Sequence, residues 1–250
     1  MASPLYDDIE LATFYDFGQK NERHDYAFCL DLAKSAEIVL DLGCGTGDLA
    51  IAMATSSHAT NQVTAVDPAE GVLQLARAKD GSDRVSWVRD DARGLRLGRA
   101  FDMIVLTGHA FQVFLTFADK LACLKTIACH LEPDGLFVFD SRNPEFPASK
   151  ENTRDRSLRI FSHPVLGAVE AWNQSHYDKS KRILTYVNHY EVLETGQRYA
   201  GEERIAYTSQ PELAALVDEA GLRVDHWLGD WKGDTFHDSS YDIIPVGGLR

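Results

Sequence analysis

A glycine-rich segment in the first quarter of the sequence has the composition of a ligand-binding turn. It spans residues 40–48, reads LDLGCGTGD and follows a short apolar run. Glycine lets the backbone turn tightly and leaves no Cβ to obstruct a ligand, which is the use we expect for Gly43, Gly45 and Gly47. A helix that begins after this turn would present unpaired N–H groups. These favour an anion such as a pyrophosphate or the carboxylate of a methionine moiety.

The next apolar run ends in an acid, Asp67, whose carboxylate could accept hydrogen bonds from both hydroxyls of a ribose. The distance of Asp67 from the glycine turn along the sequence suits NAD as well as other ribose-containing cofactors. Alternatively, Asp67 could have a structural role alone, as the N-cap of the next helix. Two features argue against NAD. The glycines follow G-x-G-x-G rather than G-x-G-x-x-G, and Asp41 would place an acid beside a pyrophosphate.

Apolar runs and amphipathic segments alternate around these residues. Strands are predicted at 37–42, 63–66, 85–88, 101–106 and 136–139, and helices at 48–54, 71–78 and 118–130. Strands that alternate with helices at this pace imply parallel βαβ units, hence an α/β, doubly wound sheet. Ligands of such sheets bind beyond the carboxyl ends of the strands, where the glycine turn and Asp67 would lie.

The pattern differs at both ends of this alternation. Short helices are predicted at 9–15 and 26–34, and three antiparallel strands at 168–177, 183–193 and 197–207. A helix beginning near Pro211 and strands at 222–228 and 241–246 would complete the chain. We therefore expect an N-terminal helical cap (1–36), an α/β domain (37–145 and 208–250) and an inserted antiparallel β subdomain (146–207). The insert would cover a substrate or form the contact of a homodimer.

Composition narrows the classes of function. The formal net charge is -13, from 25 Lys+Arg against 38 Asp+Glu, which opposes binding to nucleic acid and to anionic membranes. Cysteines occur at positions 29, 44, 123 and 129, without a C-x-x-C pair or zinc-ligand spacing, so we expect reduced thiols and no metal. Residues 1–10 are acidic and lack the apolar core of a signal peptide. The sequence therefore predicts a cytoplasmic protein.

Five segments resemble motifs of the class I S-adenosylmethionine-dependent methyltransferases. Residues 39–47 match the first motif at nearly every position, and 63–67 resemble the second motif, whose acid holds the ribose. Residues 89–93, 101–105 and 131–135 resemble the adenine motif, the fourth-strand motif and the turn before strand five. The resemblance covers roughly 6–140 and 208–248. It implies a Rossmann-like, seven-stranded, mostly parallel sheet in the order 3-2-1-4-5-7-6, with strand 7 antiparallel.

The resemblance also implies a cofactor, S-adenosylmethionine, and the residues that contact it. They are Asp41, Gly43, Cys44, Gly45, Gly47, Asp67, Pro68, Asp91, Ala92 and Thr107. Asp91 would accept a hydrogen bond from the adenine amino group, with the N–H of Ala92 nearby. Asp90 stands where the family usually has glycine.

The insert is similar to those of small-molecule members, including sugar amine N-methyltransferases. Resemblance to these enzymes suggests that Tyr15 lies near the transferred methyl group, and His109 follows the fourth strand at a position that faces the cofactor cleft. Tyr15 could instead only pack a helix, and His109 could only make a loop hydrogen bond. We hypothesise that either residue orients or deprotonates the acceptor.

The sequence thus predicts an enzyme that transfers a methyl group from S-adenosylmethionine to an amine or hydroxyl of a small molecule by in-line displacement. Three alternatives remain at this stage. They are a methyltransferase that acts on protein, a protein that binds the cofactor without catalysis and, less favoured, an NAD-dependent oxidoreductase.

Overall fold

The computed structural model describes residues 4–17, 23–56, 62–146 and 151–250. Its strands are β1 (Ile38–Leu42), β2 (Gln62–Asp67), β3 (Val85–Arg89), β4 (Phe101–Leu106), β5 (Leu131–Phe139), β6 (Ser141–Arg142), β7 (Arg159–His163), β8 (Gly167–Asp178), β9 (Ile183–Val192), β10 (Arg198–Ala206), β11 (Leu222–Leu228) and β12 (Asp242–Leu249). Its α-helices are α1 (Pro4–Asp7), α2 (Ile9–Ala12), α3 (His24–Ala33), α4 (Asp48–Thr55), α5 (Glu70–Arg77), α6 (Phe117–His130), α7 (Arg154–Ser157) and α8 (Gln210–Glu219). Two 3-10 turns span Ser82–Arg84 and Ala110–Val113.

The main sheet has the order β11-β12-β5-β4-β1-β2-β3, and β6 pairs with the start of β12. The pairs among β1 to β5 are parallel, whereas β12 runs antiparallel to β5. The predicted doubly wound order, with its last strand antiparallel, is confirmed. The two-residue β6 is an additional strand. It forms because the chain leaving β5 continues alongside β12 for two more residues.

Apolar residues on both faces of the central strands account for the core. Along β1, Val39 packs with α3 and α4 on one face, whereas Leu40 and Leu42 pack with α6 and α8 on the other. Successive strand side chains point to opposite faces. A continuously apolar strand is therefore stable only where helices cover both sides of the sheet.

The second sheet is antiparallel, with the order β10-β9-β8-β7. Three of its strands were predicted, and β7 was not. The sequence of β7 lacks an apolar alternation, and four of its five side chains are exposed or half-buried. One face of this sheet packs against the N-terminal segment, where the Phe14 and Tyr190 rings stack with centroids 4.3 Å apart. The domain boundaries at 36, 145 and 207 and a homodimer contact through this sheet stay predictions.

The first two helices pack against α5 of the main domain on one side and against β10 of the antiparallel sheet on the other. The backbone carbonyls of Tyr6 and Asp7 approach Gly71 of α5 so closely that a Cβ there would stand 2.7 Å from either oxygen. The side chain of Asp7 also accepts a hydrogen bond from the N–H of Glu70 at 2.8 Å. Across the described ranges, no helix is long and apolar enough to cross a membrane.

Candidate active site

A cleft of about 440 Å³ lies at the carboxyl ends of β1, β2 and β4. Nine of the twelve residues that the sequence assigned to the site line it. They are Tyr15, Gly43, Gly45, Asp67, Pro68, Asp91, Ala92, Thr107 and His109. The fold therefore brings together side chains that are up to 94 positions apart in the sequence, as expected for the carboxyl edge of a doubly wound sheet.

The glycine turn enters the cleft with a left-handed backbone. Its φ angles are 77° at Gly43, 54° at Gly45 and 78° at Gly47, a region that favours glycine. A Cβ at Gly45 would project into open space, with the ring of Tyr15 4.0 Å away as its nearest neighbour. This position leaves the backbone accessible to a ligand.

Three predicted cofactor contacts do not line the cleft: Asp41, Cys44 and Gly47. Gly47 instead makes room for an indole, since a Cβ there would lie 2.3 Å from the Trp87 ring. Cys44 packs against the cluster beneath the turn that includes the same indole. Cys44 and Gly47 therefore support the glycine turn on the side away from the cleft.

Asp41 is buried at the base of the turn, with only 2% of its surface exposed. Its Oδ2 has no hydrogen-bond partner within the described part of the chain. Burial, and then the negative charge of Asp67, raise the pKa of Asp41 to about 7, opposed by Arg23 and by a hydrogen bond from the backbone of Ala50. A group with its charge so poorly compensated would be stabilised by a nearby cation.

Asp67 connects the ends of β1 and β2. Its Oδ2 accepts a hydrogen bond from the N–H of Gly45 and its Oδ1 from the N–H of Ala69, both at 2.9 Å. Burial raises its pKa, while these two backbone hydrogen bonds lower it. A carboxylate oxygen has two lone pairs, so each oxygen retains one for a ligand hydroxyl.

The segment after β3 forms another wall of the cleft. Asp91 is paired with Arg93 through both oxygens, at 2.9 and 2.6 Å, and this hydrogen bonding lowers the pKa of Asp91. Asp90, in the position where glycine is usual, accepts a hydrogen bond from the N–H of Asp91 at 2.7 Å. It therefore caps its own turn.

His109 follows β4 in a left-handed conformation, with φ 62°. Its Nε2 lies 2.9 Å from Oδ1 of Asp242 and 3.5 Å from Oδ2 of Asp140. Its backbone N–H donates to Oδ1 of Asp140 at 2.8 Å. Burial raises the pKa of Asp140, and the neighbouring His109 lowers it. An imidazole held this way has one nitrogen engaged with carboxylates.

Tyr15 is 43% exposed and lines both the cleft and a second cavity. Desolvation by the surrounding protein atoms raises its pKa, and Arg23 partly offsets the effect. The phenol therefore stays protonated at neutral pH and can donate a hydrogen bond. The next residue, Asp16, accepts a hydrogen bond from Oγ1 of Thr46 at 2.6 Å, which ties the N-terminal segment to the glycine turn.

The second cavity has a volume of about 420 Å³ and lies between the N-terminal helices and the antiparallel sheet. It meets the cleft at residues that line both: Tyr6, Tyr15, Arg142, Tyr186 and Ile205. The Tyr6 and Tyr186 hydroxyls lie 3.2 Å apart. The Asn173 amide donates to Oδ1 of Asn188 at 2.8 Å across the sheet face that forms one wall. This second cavity, called the polar chamber below, is lined by more polar than apolar surface.

Sequence reasoning missed several of these residues. Tyr6, Arg142 and Tyr186 belong to no glycine or acid motif, and Asp140 and Asp242 lie at strand ends whose pairing a single sequence does not reveal. The alternation of β9, which places Tyr186 on the same face as Asn188 and Tyr190, was the one available signal.

Residues 39–135 match a family model described as a methyltransferase domain. A curated relative, the cypemycin N-terminal methyltransferase of a Streptomyces species, is 26% identical over 209 residues, covering 83% of this chain and 81% of the relative.

Solved structures are similar over almost the whole chain. The CcbJ methyltransferase from Streptomyces caelestis has a TM-score of 0.78 at 21% identity, covering 99% of this chain and 98% of the other. The sugar N-methyltransferase KedS8 from a Streptoalloteichus species has a TM-score of 0.75 at 17% identity, covering 100% and 94%. At these identities the likeness shows a shared fold.

Proposed function

We propose that this protein, whose residues 39–135 match the model of a methyltransferase domain, transfers a methyl group from S-adenosylmethionine to the amine of a small molecule. The observation that carries the proposal is the pair of cavities that meet at Tyr6, Tyr15 and Tyr186. A transferase needs two ligands whose reacting atoms face each other, and two adjoining cavities with a shared boundary meet that requirement.

The cleft suits S-adenosylmethionine in three respects. Asp67 keeps a lone pair on each oxygen for the two ribose hydroxyls, and the space in front of Gly45 lets a ligand approach the backbone. Asp41, with an unpartnered buried oxygen, supplies negative charge near a ligand that carries an ammonium and a sulfonium. When bound, the cofactor supplies a methyl group activated by the positive sulfur.

The chain's own residues then align the acceptor and exclude water. Alignment of two reactants can lower the barrier by about 7–11 kcal/mol in favourable cases. The hydroxyl of Tyr15 donates a hydrogen bond that orients the acceptor, and His109 takes the acceptor's proton. Tyr6 and Tyr186 lie at the boundary between the two cavities. Burial raises the pKa of Tyr186 to about 12 and also raises the pKa of Tyr6, so both phenols stay uncharged at neutral pH.

Nitrogen is the proposed acceptor atom because two of the similar proteins are named for transfer to nitrogen, an N-terminal methyltransferase and a sugar N-methyltransferase. An aliphatic amine is largely protonated at pH 7, so its lone pair becomes available only after a proton is removed. A base at the boundary of the cavities is therefore useful for an amine as well as for a hydroxyl.

Ligand-dependent thermal stability tests the proposal. S-adenosylmethionine and its demethylated product should each stabilise the protein, by about 2.7 kcal/mol at 100 times the dissociation constant, whereas NADH should not. Formation of the demethylated product is then measured with amino sugars, short peptides with a free N-terminus and matched hydroxyl compounds.

Each outcome separates the candidate functions. Stabilisation by NADH alone would overturn the cofactor assignment. Binding of S-adenosylmethionine without turnover on any acceptor would favour a protein that binds the cofactor without catalysis. Turnover on hydroxyl compounds only would contradict the choice of nitrogen.

A further inference from the structure

We propose that Asp242 is a positioning residue that holds His109 in one tautomer, with the proton on Nε2, so that Nδ1 can accept the proton of the methyl acceptor. The inference rests on the function proposed above and assigns a role to a residue outside both cavities. It starts from the 2.9 Å contact between His109 Nε2 and Asp242 Oδ1.

The topology of the main sheet places Asp242 beside His109. The strands β1 to β5 end at the edge of the sheet that carries the cleft, whereas β12 runs in the opposite direction and begins there. Asp242 is the first residue of β12 and is 7% exposed, and its carboxylate contacts His109 in the loop after β4. An antiparallel last strand can thus contribute a buried acid to a site built by parallel strands.

Asp140 fixes the backbone of the same loop. Gly108 and His109 are both left-handed, with φ 69° and 62°, and histidine adopts this region only at a cost. The Asp140 carboxylate compensates by accepting the His109 backbone N–H at 2.8 Å. Asp140 therefore holds the loop, and Asp242 holds the ring.

The hydrogen-bond pattern decides which nitrogen is free. A carboxylate accepts hydrogen bonds, so Nε2 beside Asp242 and Asp140 carries the proton. Nδ1 has no hydrogen-bond partner among the described residues, and His109 lines the cleft. In the neutral ring Nδ1 is the nitrogen with the available lone pair.

The proton balance follows from this arrangement. The acceptor's N–H bond breaks as Nδ1 binds its proton, the lone pair of the acceptor nitrogen becomes available, and His109 becomes an imidazolium. Asp242 and Asp140 stabilise that charge, and the proton then passes to solvent. The Tyr241 ring also lies near the imidazole, at 6.5 Å between ring centroids, and the charge of Arg142 lowers the pKa of Asp140.

The tautomer can be measured without knowing the acceptor. Protein labelled with ¹⁵N-histidine is examined by long-range ¹H–¹⁵N correlation spectroscopy, with His109→Gln used to assign the signal. In the neutral ring of the wild-type protein we expect the proton on Nε2 and none on Nδ1, and in the neutral ring of Asp242→Ala a mixture of tautomers. Asp225→Ala, which removes an exposed acid of β11, is the matched control and should leave the signal unchanged.

The demethylated cofactor serves as the probe of folding, because Asp242 lines neither cavity and Asp242→Ala should still bind it. Protonation on Nδ1 alone in the wild-type protein would overturn the inference, as would an unchanged His109 signal in a folded Asp242→Ala variant. The first of these two results would overturn the inference even if that variant does not fold. Failure of the proposed function has a different signature, namely no stabilisation by S-adenosylmethionine.

The role in catalysis has its own readout. With an amine that the turnover screen identifies, Asp242→Ala should lower kcat about tenfold or more and leave the KM for S-adenosylmethionine unchanged. A purely structural contribution would instead lower stability and cofactor affinity together, and that result would contradict a positioning role.

Discussion

The backbone N–H of Gly45 donates a hydrogen bond to Oδ2 of Asp67 at 2.9 Å, which joins the turn after β1 to the end of β2. The other oxygen of Asp67 holds the N–H of Ala69 just before α5. One buried carboxylate therefore organises the two segments that would contact opposite ends of a nucleoside.

Replacing Asp67 with alanine should weaken cofactor binding. The substitution removes the acceptors that we propose for two ribose hydroxyls, and hydrogen bonds to a charged group contribute about 1.5–3 kcal/mol each. We expect the dissociation constant of the demethylated cofactor, measured by calorimetry, to rise by roughly two to four orders of magnitude. Circular dichroism should show a folded protein.

Asp83→Ala is the matched control, since Asp83 is exposed at the turn before β3 and lies outside the cleft. Unchanged affinity in a folded Asp67→Ala protein would reject the ribose assignment. A loss of equal size in the Asp83→Ala protein would point to a general electrostatic effect.

Substitution of Gly47 should lower stability rather than affinity alone. A Cβ at this position would lie 2.3 Å from the Trp87 ring. The backbone of Gly47 is also left-handed, a conformation that strains any residue with a Cβ. Gly98, with φ 67° and no atom near its Cβ position, isolates the cost of the backbone conformation. We expect Gly47→Ala to reduce the free energy of unfolding by about 1–3 kcal/mol more than Gly98→Ala does in urea titrations. Equal losses would show that the indole moves at no cost.

The glycine turn and Asp67 could be predicted because their signals are local. A tight turn needs glycine at fixed positions, and an acid that ends a buried strand has few structural alternatives. The same local signal did not indicate which of the motif residues line the cleft. Gly47 is required for packing against Trp87, and Asp41 is buried behind the turn, so motif membership did not distinguish residues that face the cleft from those that support it.

The polar chamber could not be predicted in this way. Tyr6, Arg142 and Tyr186 come from an N-terminal helix, a two-residue strand and the antiparallel sheet, and only the packing of those elements brings them together. The edge strand β7 lacked the alternation that marks a half-buried strand. Asp242 reaches His109 through a pairing of β12 with β5 and β6 that depends on 100 or more intervening residues.

The buried Asp41 should make stability depend on pH. Its folded pKa of about 7 exceeds the unfolded value of about 3.9. Between these values the folded state binds more protons than the unfolded state, so the free energy of unfolding falls as pH rises. The loss is at most about 1.4 kcal/mol per pH unit and ends above pH 7.

Asp41→Asn removes this titration. We expect the Asn variant to gain stability relative to the wild-type protein from pH 5 to pH 8, measured by urea unfolding at each pH. Asp83→Asn, at an exposed position, should show a constant difference from the wild type. Parallel profiles for Asp41→Asn and the wild type would contradict the raised pKa.

Tyr15 and His109 should contribute to turnover by different amounts. Tyr15→Phe removes one hydrogen-bond donor whose raised pKa keeps it neutral, so we expect a two- to tenfold loss in kcat, the equivalent of about 0.5–1.5 kcal/mol. His109→Ala removes the proton acceptor and should cost roughly a hundredfold or more, least at high pH, where the amine is already deprotonated. Tyr26→Phe, outside both cavities, is the control and should retain activity. Full turnover in both the Tyr15→Phe and the His109→Ala proteins would show that the acceptor reacts without help from either side chain.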